Sequence, residues 1–250
     1  MSTPGENDSS PQFLSLETVL PLLVDGDIRL EGRIPWSSNA TFLVTLQQDA
    51  LEALAVYKPR RGERPLWDFA PGTLCLREVA AYRVSEALGW GLVPPTVLRD
   101  GPYGLGSLQF FVTADPEENY FTFRDDLPEA VARLALFDAV TNNADRKAGH
   151  CLLDEQGHMW AIDNALTFHV EPKLRTVIWD LAGELIPPLL VDELRRLQAR
   201  LEQGGQLWNA LRALLTGEET TALVRRLRRL LRQRRFPEPG TGRSLPWPLV

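Results

Sequence analysis

The sequence predicts an α+β chain in two unequal parts: a strand-rich first part carrying one main helix, and a mostly helical second part. Three observations lead there. Short runs of apolar, β-branched and aromatic residues between residues 28 and 112 are bounded by Gly, Pro, Asn or Ser, as strands are. One stretch of helical periodicity, Thr73 to about Leu88, interrupts them. Beyond residue 127 apolar residues recur mainly at helical spacing, broken by one short hairpin pattern.

In order, residues 1–12 are polar, with Pro4, Gly5 and Pro11, and read as a disordered tail. Ser15 is placed to cap a short helix with Leu16, Val19, Leu20 and Leu23 on its apolar face, ended by Gly26. Ile28–Ile34 and Thr41–Leu46 read as strands joined by Pro35-Trp-Ser-Ser-Asn39, and Leu54–Lys58 as a third. Thr73 is placed to cap the main helix, whose inner face would be Leu76, Val79, Ala80, Val84 and Leu88. Val93–Leu98 and Ser107–Val112 read as two more strands around a Gly-rich turn from Gly101 to Gly106, followed by a linker, Thr113–Asn119.

In the second part a helical run, Leu127–Val140, ends in the polar loop Thr141-Asn-Asn-Ala-Asp-Arg-Lys-Ala-Gly-His150. Cys151–Leu153 and Met159–Ile162 read as hairpin strands around Asp154-Glu-Gln-Gly157. Helices are expected at about Val191–Gln203, Leu207–Leu215 and Glu218–Arg235, with residues 236–250 a tail without a clear fold. The expected organisation is a tail (1–12), a strand-rich lobe (13–114), a helical lobe (115–235) and a second tail.

Composition narrows the function classes. The 250 residues are 44% hydrophobic and 24% charged, ordinary for a globular protein. No apolar run approaches the ~18 residues that span a bilayer, and the N-terminus has no basic-then-apolar signal pattern. Cys75 and Cys151 sit among apolar neighbours and read as buried free thiols, so a cytoplasmic location is the default expectation. Residues from 193 onward carry a net +7 and residues 1–192 a net −13, within an overall −6. An acidic body does not suggest nucleic acid as a partner. The last helix has Leu223, Leu227, Leu230 and Leu231 in one stripe and seven Arg between Arg225 and Arg235. It reads as a packed final helix with a solvated charged face ahead of a membrane-surface helix.

The chemistry gathers on a few positions. The hairpin returns Asp163 towards the loop that holds Asp145 and His150. An acid in a loop, a ligand-capable side chain five residues on and a second acid thirteen later is a layout suited to phosphoryl transfer. Lys58 ends an apolar strand, where an unpaired ammonium would be costly, and Glu78 on the following helix is an available partner. The Trp36-Ser-Ser-Asn39 turn lies between strands, where backbone N–H groups can form an anion site, although a plain hairpin turn has the same look.

Together these elements resemble the phosphatidylinositol 3-/4-kinase superfamily, and within it type II phosphatidylinositol 4-kinases, their small bacterial relatives and HipA-like kinases. The resemblance rests on Val56-Tyr-Lys-Pro59, Glu78, Gly106-Ser-Leu-Gln-Phe-Phe-Val112, Asn143-Ala-Asp-Arg146 and Ala161-Ile-Asp-Asn-Ala-Leu166, in that order, between about Gly32 and Phe168. It implies a bilobal protein-kinase-like fold and an ATP- and Mg²⁺-dependent phosphotransferase. Asp145 would be the base or the acid that orients the hydroxyl, with Lys58 and Arg146 as the other catalytic residues. Lys58 would sit on the α/β-phosphates, held by Glu78. Ser37, Ser38 and Asn39 would cover the phosphates, Gln109, Phe110, Phe111 and Val112 would line the adenine site, and Asp163 and His150 would ligate metal. His150 stands where the family has an Asn ligand, which implies Mn²⁺ use, a weakened metal site or a hydrogen-bonding role. The acceptor is expected to be a protein or a small polar molecule, with inositol lipid less attractive. The alternative is a pseudokinase-like nucleotide-sensing module that presents a surface to a protein partner.

Overall fold

A computed structural model describes residues 16–35 and 37–250. The expectations for the 1–12 tail, for Ser15 as a cap and for Trp36 in its turn lie outside the described residues. Helix α1 (Leu16–Asp25) is followed by β1 (Asp27–Arg33), β2 (Phe42–Gln48) and β3 (Leu51–Pro59), then helix α2 (Leu74–Leu88), β4 (Thr96–Gly101) and β5 (Gly104–Phe110). The strands form one antiparallel sheet in the order β1-β2-β3-β5-β4. Strand alternation gives this sheet two faces. Val44, Leu46, Ala55, Tyr57, Val97 and Leu108 point to one face and pack with Val19, Leu22 and Leu23 of α1. Lys58 and its cross-strand partner Ser107 point to the other, where α2 lies.

The Gly-rich stretch differs from expectation. β4 runs to Gly101 and β5 starts at Gly104, so the turn is only Pro102-Tyr103. The glycines serve packing: a Cβ on Gly101 or Gly106 would come within 2.8 or 2.7 Å of the Tyr57 ring beneath. Helix α2 also departs from a one-faced pattern. Leu76 is half-buried, whereas Cys75, Arg77, Glu78, Ala81, Tyr82 and Ser85 are buried. The helix is wedged between β4 and β5 on one side and helices of the second part on the other, so nearly all its circumference is covered. Thr73 does not cap it; its hydroxyl donates to the Ala70 carbonyl instead.

A short helix that composition hid, α3 (Tyr120–Phe123), closes the linker with a capping box in which Asn119 and Thr122 satisfy each other's backbone N–H groups. Helix α4 (Pro128–Thr141) is the buried axis of the second part, and β6 (Cys151–Leu153) and β7 (Met159–Ala161) form the expected hairpin. Helices α5 (Pro188–Arg200), α6 (Gln206–Arg212) and α7 (Gly217–Gln233) complete it. Pro188 opens α5 at its first position, where a missing N–H costs nothing. Leu223, Leu227 and Leu230 of α7 are buried in the core of this part. The leucine stripe of the Arg-rich helix is thus already packed, and no helix among the described residues is long and apolar enough to cross a membrane.

Residues 236–250 have no regular element, as their composition suggested, yet they are docked. Phe236 is buried, the Ser244 carbonyl accepts from Thr176 N (3.1 Å) and Trp179 Nε1 (3.2 Å), and the Leu249 carbonyl accepts from Ala148 N (2.7 Å). The tail thereby braces the 142–150 loop from behind.

Candidate active site

The cleft between sheet and helical part is built from three loops that strands and helices end in. Lys58, at the end of β3, donates to Glu78 of α2 and, at 3.0 Å, to Asp163 Oδ1 just after β7. Glu78 spends its second oxygen on the backbone N–H of Asn164 (2.9 Å), so one carboxylate ties the strand, the helix and the β7 end together. Two opposing carboxylates hold the Lys58 pKa above the ordinary lysine value despite burial. Asp163 sits at φ 55°, in the left-handed region that side chains enter at a cost, and its carboxylate is held well below the usual range, chiefly by Lys58. At 48% exposed, that carboxylate faces the cleft.

Asp145 is placed by its neighbours. Asn142 ends α4 at φ 57°, and its side chain bonds the His169 and Glu171 carbonyls and the Lys173 N–H. Asn143 Oδ1 accepts from Asp145 N (2.9 Å) while Asn143 Nδ2 donates to Asp138 Oδ1 (3.1 Å). The Asp145 carboxyl is raised to about 6, first by burial, which outweighs the nearby Lys147 charge; Asp163 adds to the rise while Arg243 and Arg175 oppose it. Lys147 Nζ stands 3.9 Å from Asp145 Oδ2.

Ser37, Ser38 and Asn39 come to the same small cavity as Lys58, Glu78 and Asp163. Ser37 Oγ pairs with Thr41 Oγ1 (2.7 Å), and Asn39 Oδ1 accepts from Arg64 N (2.9 Å), which fixes the turn. Glu63 also lines this cavity: one oxygen accepts from Cys75 N (2.9 Å) and Oε2 is buried without a partner. Burial and Glu63 push the Cys75 thiol up to about 12, so it is inert as a nucleophile.

Four positions need correction. Arg146 is fully buried: it grips Asp138 through Nε and Nη2 (3.0–3.2 Å), and donates to the Ile162 carbonyl (2.7 Å) and Asn164 Oδ1 (2.6 Å). It cannot touch a substrate and acts by positioning the loop. Phe110 pairs with Ala55 on the α1 face of the sheet and packs in that core, on the wrong side for the cleft. Gln109 faces the cleft side but is 5% exposed and donates to Thr96 Oγ1 (2.9 Å), so it is a strut between strands. Phe111 and Val112 remain half-buried at the sheet's end. His150 Nδ1 accepts from Lys147 N (3.4 Å), which leaves the ring proton on Nε2, 3.4 Å from Asp163 Oδ2. Burial lowers its pKa to about 4, so the ring is neutral and directs a donor at Asp163 in place of a free lone pair.

Sequence reasoning missed Asp138, Asn164 and Arg77. Asp138 carried a signal, an acid inside the apolar run that became α4. Arg77 pairs with Glu219 of α7 and donates to the Thr167 carbonyl (2.6 Å), pinning α2 and hence Glu78 against the helical part. Glu219→Gln should cost about 1–3 kcal/mol by weakening the buried guanidinium's partner, read as a lower urea midpoint. An unchanged midpoint would remove Arg77–Glu219 from the elements that seat α2.

A five-stranded antiparallel sheet with its lysine–glutamate pair, stacked on a helical part that carries the Asp145 loop, is the architecture of the kinase fold. Residues 99–204 match the phosphatidylinositol 3- and 4-kinase family. Protein Rv2133c of Mycobacterium tuberculosis (strain ATCC 25618 / H37Rv) is 39% identical over 264 residues, covering 91% of this chain and 94% of that protein. Among solved structures, hydra Fam20 with sugar superposes with a TM-score of 0.57 (16% identity, 87% of each chain). The Helicobacter pylori proinflammatory kinase CtkA gives 0.51 (11% identity, 85% of this chain and 93% of that one). The chain belongs to one family with Protein Rv2133c, and its match to phosphatidylinositol 3- and 4-kinases spans residues 99–204.

Proposed function

We propose that this protein is an ATP-dependent kinase that moves the γ-phosphate of ATP to a hydroxyl group. The observation that carries the reading is Lys58, held between Glu78 and Asp163 in a cleft whose other wall presents Asp145. In this reading Lys58 meets the α/β-phosphates, and the turn at Ser37–Asn39 lies over them. The cavity there is small, so the triphosphate enters by lifting that turn and taking over the lysine from Asp163.

Asp145, titrating near 6, is ionised at neutral pH and can accept the proton of the attacking hydroxyl. The donor set fits a divalent cation of the magnesium kind: one half-exposed carboxylate, Asp163, with the remaining ligands left to phosphate oxygens and water. His150 would orient that carboxylate through Nε2–H. When bound, such a cation neutralises charge on the transferring phosphate. Among the described residues no group of three or more His, Cys, Asp or Glu side chains is arranged to hold a metal by itself, so the nucleotide must complete the site.

The test is incubation with γ-labelled ATP and Mg²⁺ or Mn²⁺, beside Asp145→Ala, Asp163→Ala and Lys58→Met. Label transfer or phosphate release lost in all three variants is the expected result. ATP binding without turnover under either metal would replace the kinase reading with a nucleotide-sensing module, and absence of both would refute nucleotide chemistry altogether.

A further inference from the structure

The chain between β3 and α2, residues 60–72, starts in the strand-rich lobe and reaches across to the helical one. Near its start it holds the turn at Ser37–Asn39: the Gly62 carbonyl accepts from Ala40 N (3.0 Å) and Arg64 N donates to Asn39 Oδ1 (2.9 Å). The two segments lie so close there that a Cβ on Gly62 would fall 2.6 Å from the Ala40 Cβ. Near its end Asp68 accepts from Lys173 Nζ (3.0 Å), and the two side chains are only 12% and 9% exposed. Trp67 is 90% exposed, yet the Lys173 ammonium stands 4.8 Å from the centroid of its ring, so the ring shields the ion pair from solvent. Phe69 meets His169 edge-on, with 5.3 Å between ring centroids.

Lys173 in turn belongs to the segment that seats the Asp145 loop. Its backbone N–H donates to Asn142 Oδ1 (2.8 Å), and Asn142 Nδ2 reaches the His169 and Glu171 carbonyls. Arg175 N donates to the Asn143 carbonyl (2.8 Å), and Arg146 N to the Arg175 carbonyl (3.0 Å). Residues 169–175 therefore bond the loop on both sides of Asp145. The strap at 60–72 is the middle of a continuous run of bonds from the phosphate-side turn to that loop. Two other bridges between the lobes have different ends. Lys58–Asp163 is given up when nucleotide takes the lysine, and Arg77 ends on Glu219 of α7 and the Thr167 carbonyl.

We infer that the 60–72 strap couples the Ser37–Asn39 turn to the Asp145 loop, with Asp68 and Lys173 as positioning residues, so that nucleotide seated under the turn holds the loop in place. The inference rests on the kinase reading above. As the triphosphate lifts the turn, the strap follows through Gly62 and Arg64. The Asp68–Lys173 pair carries the shift to residues 169–175 and so to Asn142, Asn143 and Arg146. Asp145 is then fixed relative to the lobe that holds the phosphates just as Lys58 leaves Asp163. Neither Asp68 nor Lys173 lines the Lys58 cavity, so both act through the loop. A buried ion pair adds little net stability over apolar residues of the same size, but breaking one partner is costly, which suits a contact that must keep two elements in register.

The experiment compares the full chain with Asp68→Ala, Lys173→Met, Lys173→Arg and Trp67→Ala, using γ-labelled ATP and Mg²⁺ or Mn²⁺. It reads kcat and KM for ATP from phosphate release, ATP affinity by equilibrium dialysis, and amide hydrogen exchange at residues 143–146 with and without ATP. Trp67 is exposed, so its variant folds whatever an unpaired buried charge does to the others. In the wild type, ATP should slow exchange at 143–146 by about threefold or more. Asp68→Ala and Lys173→Met should lose that slowing and lower kcat by about tenfold or more, with the KM for ATP within about twofold. Lys173→Arg, which keeps the charge, should retain both, and Trp67→Ala should fall between. An equal response to ATP, or none, in wild type and Lys173→Met overturns the inference. So do lower melting temperatures with kcat, KM and exchange unchanged, which would make the pair a prop and nothing more. Slowing that needs Lys173 in a protein that binds ATP without turnover supports the coupling and strikes the kinase reading alone. Absence of ATP binding refutes both.

Discussion

Asp145→Asn should slow phosphate transfer by orders of magnitude and, above pH 6, make the protein more resistant to heat. The two effects share a cause. Burial raises the folded-state pKa of this carboxyl to about 6, above the unfolded aspartate value near 3.9. Between those two values the folded state binds more protons than the unfolded one, so stability falls as pH rises through the window and stays lower above it. Asn keeps the shape and never ionises. The gain is on the order of 1 kcal/mol once partial exposure is discounted. Loss of the general base should cost about 10²- to 10⁴-fold in kcat, and the wild-type kcat/KM should rise with pH through an apparent pKa near 6. Melting curves from pH 4 to 8 for both proteins check the first half. Parallel curves across the whole range would show that Asp145 is not buried enough to play the role assigned to it.

Asp138→Asn should be the most damaging single change outside the cleft. Asp138 and Arg146 are both fully buried, and the carboxylate takes bonds from the guanidinium, Asn143 Nδ2 and Thr176 Oγ1. Removing the negative charge leaves a buried guanidinium uncompensated, at a cost of about 3–5 kcal/mol. For a chain of this size that lowers Tm by about 6–20 °C. Because Asn143 also positions Asp145, activity should fall at temperatures where the variant is still folded. A loss below about 1 kcal/mol, measured by urea titration, would show that Arg146 is satisfied by the Ile162 and Asn164 oxygens alone.

Much of the site was legible because charges in apolar surroundings are expensive and therefore informative. Lys58 at a strand end, Glu78 on a covered helix and Asp163 after a hairpin each stand out against their neighbours, and their order along the chain carries the rest. What stayed hidden depended on direction and on distant chain. The run Gln109–Val112 gave no hint that Phe110 points to the α1 face, since strand parity needs the register with β3. Arg146, read as catalytic from the resemblance of Asn143-Ala-Asp-Arg146 to a catalytic loop, has its role set by Asp138 eight residues earlier and by the β7 end. The arginines of residues 225–235 looked like a solvated helix face because the tail that folds back beside them has no periodic pattern.

The burial of α2 on almost all sides has a consequence for how the molecule comes apart. Residues 80–93 share one continuous core with α4, α5 and α7, while the α1 side of the sheet has its own. A fragment ending before the helical part would therefore expose the back of α2, with Arg77 stripped of Glu219 and the Thr167 carbonyl, and Glu78 of the Asn164 N–H. The two lobes are two in shape and one in cooperativity: unfolding of the whole chain should follow a single calorimetric transition whose van't Hoff and measured enthalpies agree.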